Sequence, residues 1–230
     1  IRIARLPDGF LAEVQAIVKF FFTSPTSYYV DMEVEKYREL VAIVQHELQN
    51  RAVHQRLAYA YHEIFKGLLP GAEQLGCQFA LLRAVRPRVN GVQESIGWHR
   101  EAFYGDGGEI NVWVPILNVN VATALMCIPG SEKIRDEDLQ TEDKIDPSCA
   151  RGSFGHYLGL LDTEKKIIGG VDFNRARPLV VLPGEAAIFD GALIHGSGSN
   201  SSDDIRFSID FRVMDLPAMK EPQTTGDENG

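Results

Sequence analysis

His195 closes a short apolar run in Leu193-Ile194-His195-Gly196-Ser197-Gly198-Ser199-Asn200, and Arg206 follows eleven positions later, ahead of Phe207 and Ser208. An imidazole can ligate a metal or move a proton, and a guanidinium presents a planar fork that matches both oxygens of a carboxylate. Upstream, Trp98-His99-Arg100-Glu101 sets a second imidazole two positions from a carboxylate. On an extended strand, residues two apart share a face and lie roughly 6.6 Å apart along the chain, so both can reach one metal. With His195 the set is two histidines and one carboxylate, the facial arrangement that leaves positions open on a non-haem Fe(II). A bare His-x-Glu is common in ordinary strands, where it reads as a surface ion pair. The conjunction with His195, the Gly-Ser turn, Arg206 and Ser208 is what points to a metal that takes a small bidentate acid.

These residues need a scaffold. From Ile205 to Val213 the chain alternates: Ile205, Phe207, Ile209, Phe211 and Val213 take one face, and Arg206, Ser208, Asp210 and Arg212 the other. The apolar row packs on a core and the polar row points into an interior, so Arg206 and Ser208 can hold the far end of an acid. Arg212 shares that parity and is the rival for the same carboxylate, ranked second because it lies further from the turn. Further strands are expected at 77–85, 96–104, 109–119, 123–128, 179–182 and 186–189, with Gly and Pro turns between them. Before them come helices: one from Asp8, which offers an N-cap, with Phe10, Leu11, Val14, Ile17, Val18 and Phe21 on one face; a second from about Asp31 to Leu48; a third from Ala52 to Leu69. Helices followed by many short strands suggest an all-β barrel or sandwich with a helical flank.

Composition narrows the class. A net charge of −9 argues against a nucleic-acid surface, and no apolar run is long enough to span a bilayer. Cys77, Cys127 and Cys149 are odd in number and lack Cys-x-x-Cys spacing, which fits a reduced, cytoplasmic protein. His46, His54 and His62 fall eight apart on helices and do not converge, so they read as packing or surface groups. His156 lies in a polar stretch and reads as a loop residue, Arg175 and Arg177 as a solvated face, and Asp190 as a turn residue. The chain starts at Ile1, and a removed leader is not excluded by its sequence.

Several stretches together resemble the Fe(II)/2-oxoglutarate-dependent oxygenases, most of all the phytanoyl-CoA dioxygenase-like branch. They are His99-x-Glu101, Val112-Trp113-Val114-Pro115-Ile116, Ile128-Pro129-Gly130-Ser131, Pro183-Gly184-Glu185 and His195-Gly196-Ser197-Gly198-x-Asn200 leading to Arg206. The resemblance implies a mainly β fold with flanking helices: a double-stranded β-helix (jelly-roll, cupin-like) barrel with N-terminal helices on its larger sheet. It implies one oxygenase domain over 1–230, with a helical layer at 1–75, a jelly-roll core at 76–213, an insertion at 131–178 and a tail at 214–230. It implies iron on His99, Glu101 and His195, the 2-oxoglutarate tail on Arg206, Trp113 lining the co-substrate pocket, and Ser197 and Ser208 as helpers. The implied reaction consumes O₂ and 2-oxoglutarate, releases succinate and CO₂, and hydroxylates a small molecule; the polar insertion leans toward a sugar, amino acid or natural-product intermediate. Two departures stand out. Glu101 replaces the usual Asp, and Asn120-Val121-Ala122-Thr123-Ala124 replaces an acidic-Asn-Gly element. Two rivals are a cupin-type isomerase, epimerase or oxygenase that uses no oxoacid, and a non-enzymatic ligand-binding barrel.

Overall fold

The strand that carries Arg206 is also the one the larger sheet is built on. The computed structural model describes residues 1–23, 26–77, 80–87, 97–101, 108–143, 165–198 and 200–215. Along the chain the elements are β1 (Arg2–Arg5), α1 (Phe10–Phe21), α2 (Val34–Asn50), α3 (Val53–Ala60), α4 (His62–Leu68), β2 (Leu75–Cys77), β3 (Leu81–Val85), β4 (Ile110–Leu117), β5 (Leu125–Cys127), β6 (Gln140–Asp143), β7 (Lys165–Gly169), β8 (Arg177–Pro178), β9 (Glu185–Asp190), β10 (His195–Ser197) and β11 (Arg206–Asp215).

The larger sheet has six antiparallel strands. It runs β1-β9-β4-β11, with β3 and β2 both pairing along the far edge of β11. The smaller sheet, β10-β5-β8, is extended by a single bridge between His99 and His195. This is the mainly β, helix-flanked architecture expected for a jelly-roll, with the polar interior lying under β11.

Period-two alternation decides what each face of the larger sheet touches. Ile205, Phe207, Ile209, Phe211 and Val213 join Ile110, Val112, Val114 and Ile116 in one buried core with the helices. From α1 that core receives Phe10, Val14, Ile17 and Val18, spaced so that all four fall on one helical face. Each such side chain contributes about 1.5–3 kcal/mol on burial, so this one stripe is worth on the order of 6–12 kcal/mol. Polar pins fix the register of helices on sheet. Gln15 Nε2 donates to Ile116 O at 2.8 Å, Tyr37 Oη to Ala84 O at 2.9 Å, and Gln45 bonds Ala80 O while accepting from Leu82 N.

Several boundaries differ from the sequence reading, each for a local reason. Gly9, at φ 74°, precedes α1, and Asp8 makes no capping bond. The third helix divides at Tyr61, whose hydroxyl donates to Arg5 O at 2.7 Å and ties the helical layer to β1. The first strand is two strands on either side of 78–79. Residues 179–182 form no strand; Arg177–Pro178 pairs with β5 in their place, and Leu179 and Val181 turn inward. Between the expected limits of the insertion, the described residues form the β6–β7 hairpin and single 3-10 turns. His156, Cys149 and the tail beyond Asp215 lie outside the described residues.

Candidate metal centre

His99 sits in an isolated β-bridge and Glu101 at a 3-10 turn two residues on, not on the long strand expected over 96–104. His99 and His195 exchange backbone hydrogen bonds at 2.9 and 3.0 Å, and Glu101 N donates to Gly191 O at 2.8 Å. Residues 102–107 lie outside the described residues. The bridge brings the two imidazole rings to a centroid separation of 4.3 Å. Gly191 favours this approach: a Cβ there would stand 3.0 Å from Glu109 O, a tight contact that would push the two segments apart by a few tenths of an ångström. On the other side, Ile194 N donates to the buried Ser131 Oγ at 2.8 Å, which fixes the strand entering His195.

One ligand atom from each of His99, Glu101 and His195 lies within 4.8 Å of the others. Each imidazole has its Nδ1 against a backbone carbonyl, Gly97 O at 2.8 Å and Leu193 O at 2.9 Å. A carbonyl only accepts, so Nδ1 carries the proton and Nε2 keeps its lone pair for an ion. Glu101 Oε1 is 3.5 Å from His99 Nε2. Burial, the largest influence on Glu101, favours the neutral acid, but the Arg212 guanidinium leads the groups that outweigh it and hold the carboxyl well below its ordinary range. His195 is pushed down to about 4, by burial first and then by His99, with Glu101 opposing, so it is neutral at pH 7. An ionised carboxylate beside Nε2 lone pairs fits a divalent cation of the non-haem iron type.

The cavity next to these groups is lined by the inward faces of β3, β4 and β11, including Arg83, Asn111, Trp113, Arg206, Ser208 and Asp210, and by Ser197 from β10. Arg206, Ser208, Ser197 and Trp113, the four residues expected to contact a co-substrate, all line this one cavity. Arg206 is 2% exposed, and its Nε has no hydrogen-bond partner among the described residues; Ser208 Oγ and Asn111 Nδ2 are likewise buried without one among them. Burial, with Arg83 adding to it and Asp210 opposing, lowers the Arg206 guanidinium to about 10, so it stays charged at neutral pH. Asp210 is engaged elsewhere: Arg83 Nε and Nη2 donate to its two oxygens at 2.7 and 3.0 Å. A buried cation with an unspent donor beside a hydroxyl is built to receive an anion.

Arg212 does not compete for that anion. Its Nη1 lies 3.0 Å from Glu101 Oε2 and 3.6 Å from Glu109 Oε2. Arg83, Asn111 and Glu109 were not singled out from the sequence. The inward parity of β3 and β4 was the signal available for the first two, since Arg83 pairs in register with Ser208 and Asn111 with Arg212. Arg175 and Arg177 bond nearby backbone carbonyls of Pro129, Asn174 and Ala176 on the surface. Asp190 accepts from Ala192 N at 2.8 Å, a turn role. His54 is buried in the helical layer, and His46 bonds Asn50 on the exposed face of α2.

The phytanoyl-CoA dioxygenase (PhyH) family model matches residues 3–208. Among curated protein sequences, none matches the chain. Solved structures share the fold at low identity. The epimerase SnoN in complex with Fe3+, α-ketoglutarate and nogalamycin RO is 15% identical with a TM-score of 0.54, over 96% of this chain and 81% of that one. EctD from S. alaskensis with 2-oxoglutarate and 5-hydroxyectoine is 14% identical with a TM-score of 0.54, over 96% of this chain and 73% of that one. EvdO2 from Micromonospora carbonacea var. aurantiaca complexed with 2-oxoglutarate is 20% identical with a TM-score of 0.49; 70% of this chain is covered, and it spans 61% of that one. No helix among the described residues is long and apolar enough to cross a membrane.

Proposed function

The chain belongs to the phytanoyl-CoA dioxygenase family of iron- and 2-oxoglutarate-dependent oxygenases, and from that premise we propose that it hydroxylates a polar small molecule, with His99, Glu101 and His195 holding Fe(II) and Arg206 holding 2-oxoglutarate. One observation carries the reading: a His-Glu-His set within 4.8 Å shares a cavity with a fully buried arginine whose Nε has no hydrogen-bond partner among the described residues. The iron and its co-substrate supply the oxidising chemistry, in which O₂ is consumed, 2-oxoglutarate becomes succinate and CO₂, and a substrate C–H gains a hydroxyl.

The chain's own residues bind, orient and exclude water. The carbonyls of Gly97 and Leu193 set both imidazoles with Nε2 inward. The Arg206 fork meets the distal carboxylate of the co-substrate, and the Ser208 hydroxyl adds a donor beside it. Trp113, Leu125 and Phe189 give the cavity an apolar wall, which strengthens each charge-assisted contact by keeping bulk water out. A cupin-type enzyme without an oxoacid has no use for Arg206, since a buried cation left unpaired is costly.

The preference for a polar substrate rests on the charged character of the 131–178 stretch. The structures of SnoN and EctD hold nogalamycin RO and 5-hydroxyectoine, each a small molecule. The test is succinate formation from 2-oxoglutarate in the presence of Fe(II), O₂ and a panel of sugars, amino acids and natural-product intermediates, with products weighed by mass spectrometry. A hit shows substrate-stimulated succinate and a product heavier by one oxygen. Stimulation by acyl-CoA thioesters alone, with no polar compound active, would contradict the substrate class.

A further inference from the structure

We propose that Arg212 is a positioning residue for the metal: it takes Oε2 of Glu101 and so presents Oε1 alone to the ion. The inference rests on the reading of Glu101 as a ligand and adds how that ligand is held.

Glutamate has one more methylene than aspartate, hence an extra torsion, and a free glutamate at a metal can swing between binding with one oxygen and with two. Here the two oxygens face different partners. Oε1 lies 3.5 Å from His99 Nε2, on the side of the imidazole donors, and Oε2 lies 3.0 Å from Arg212 Nη1. Arg212 and Glu101 are both largely buried, at 11% and 15% side-chain exposure, so neither pairs with water instead. Glu109 Oε2 approaches the same Nη1 at 3.6 Å and keeps the guanidinium from following the metal ligand.

The backbone carries the same lacing. Glu101 N donates to Gly191 O, and Gly191 N donates to Glu109 O, both at 2.8 Å. Glu101 and Glu109 are thus tied through one glycine, where a Cβ would press on Glu109 at 3.0–3.1 Å. The charges also balance usefully. One guanidinium between two carboxylates leaves a single negative charge, which the Oε1 side directs toward the cation. An ion that gave two positions to Glu101 would have one fewer for a bidentate co-substrate and O₂. A clamp on Oε2 therefore accommodates glutamate where a shorter aspartate would need none.

The test is a cycle of Co(II) titrations on the whole chain, followed by visible absorbance, for wild type, Arg212→Met, Glu101→Ala and the double variant, each with a thermal melt. Arg212→Met is expected to weaken Co(II) about 10- to 100-fold, the usual effect of removing a group that orients a metal ligand. In the Glu101→Ala background the same change is expected to alter affinity by no more than about twofold, because the arginine acts only through that carboxylate. Arg212→Met binding Co(II) as tightly as wild type overturns the proposal, and so does a full loss that persists without Glu101. If Arg212→Met shows no cooperative melt, Arg212→Lys replaces it, keeping the buried charge with a single compact donor. Weaker Co(II) binding then supports the clamp and wild-type binding overturns it. Wild-type chain that takes up no Co(II) defeats the ligand reading itself, an outcome visible before any variant is compared.

Discussion

Replacing Arg206 by methionine separates a residue held for a ligand from one held for the fold. The side chain is 2% exposed and its Nε donates to nothing among the described residues, while the nearby Asp210 is bound through both oxygens by Arg83. Burial lowers its pKa to about 10, three units above neutral pH, so the cation persists at a desolvation cost that Asp210, already engaged by Arg83, offsets only in part. Two consequences of opposite sign follow. Without co-substrate, a similarly sized apolar side chain is expected to leave the melting temperature unchanged or raise it, since removing a poorly compensated buried charge is neutral to stabilising. With co-substrate, the lost charge-assisted pair is worth about 2–5 kcal/mol. At 1.4 kcal/mol per tenfold, that raises the Kd for 2-oxoglutarate roughly 30- to 3,000-fold. Calorimetric titration of 2-oxoglutarate into the Mn(II)-loaded protein reads the affinity, and melts with and without 2-oxoglutarate read the stability. Saturation at 100 times Kd stabilises wild type by about 2.7 kcal/mol, a shift that Arg206→Met is expected to lose. A variant that binds 2-oxoglutarate within threefold of wild type while melting well below it would refute the reasoning and return Arg206 to the core.

Three further outcomes follow from the same geometry. His99→Ala and His195→Ala are each expected to abolish stoichiometric iron binding, read by metal analysis after desalting, while 2-oxoglutarate-independent folding survives by circular dichroism. Ser131→Ala leaves the buried Ile194 N–H without its acceptor, and should lower stability by about 1–3 kcal/mol in denaturant melts, with loosened metal binding at His195. The metal-free protein should lose stability as pH falls. His195 titrates near 4 in the fold against an ordinary 6.5, so the unfolded chain binds the proton first. Its contribution is complete above about pH 6.5, declines between 6.5 and 4 by on the order of 3 kcal/mol, and is flat below. Below the ordinary carboxylate range the protonation of Glu101, whose folded pKa is depressed, adds a further loss. His195→Phe should flatten the upper part of this profile in denaturant melts run from pH 8 to 4.

How much of this was legible before the coordinates depends on whether a signal was local. The alternation from Ile205 to Val213 was local, and it placed Arg206 and Ser208 on the polar side of β11 correctly. The three candidate ligands could be picked out because strand-like spacing and a Gly-Ser turn are visible in a few residues. Long-range pairing was not. β1 is four mostly exposed residues that become a strand only because β9 lies beside them. β10 is His195-Gly196-Ser197, too short for any period, and exists through its register with Cys127 and Leu125. The break at Tyr61 carries no Gly or Pro, and the hydroxyl that marks it bonds a residue 56 positions away. Arg212 shows the limit most clearly. Parity put it inside, but only the fold of 101, 109 and 191 onto one point decides that it faces Glu101 and not the co-substrate.

The central claim is that His99, Glu101, His195 and Arg206 together hold iron chelated by 2-oxoglutarate, and anaerobic visible spectroscopy tests it most directly. Adding 2-oxoglutarate to the Fe(II)-loaded chain is expected to give the weak charge-transfer band of a chelated oxoacid, absent in His99→Ala and needing far more 2-oxoglutarate in Arg206→Met. Folded wild-type protein with iron bound and no band at saturating 2-oxoglutarate would contradict the account.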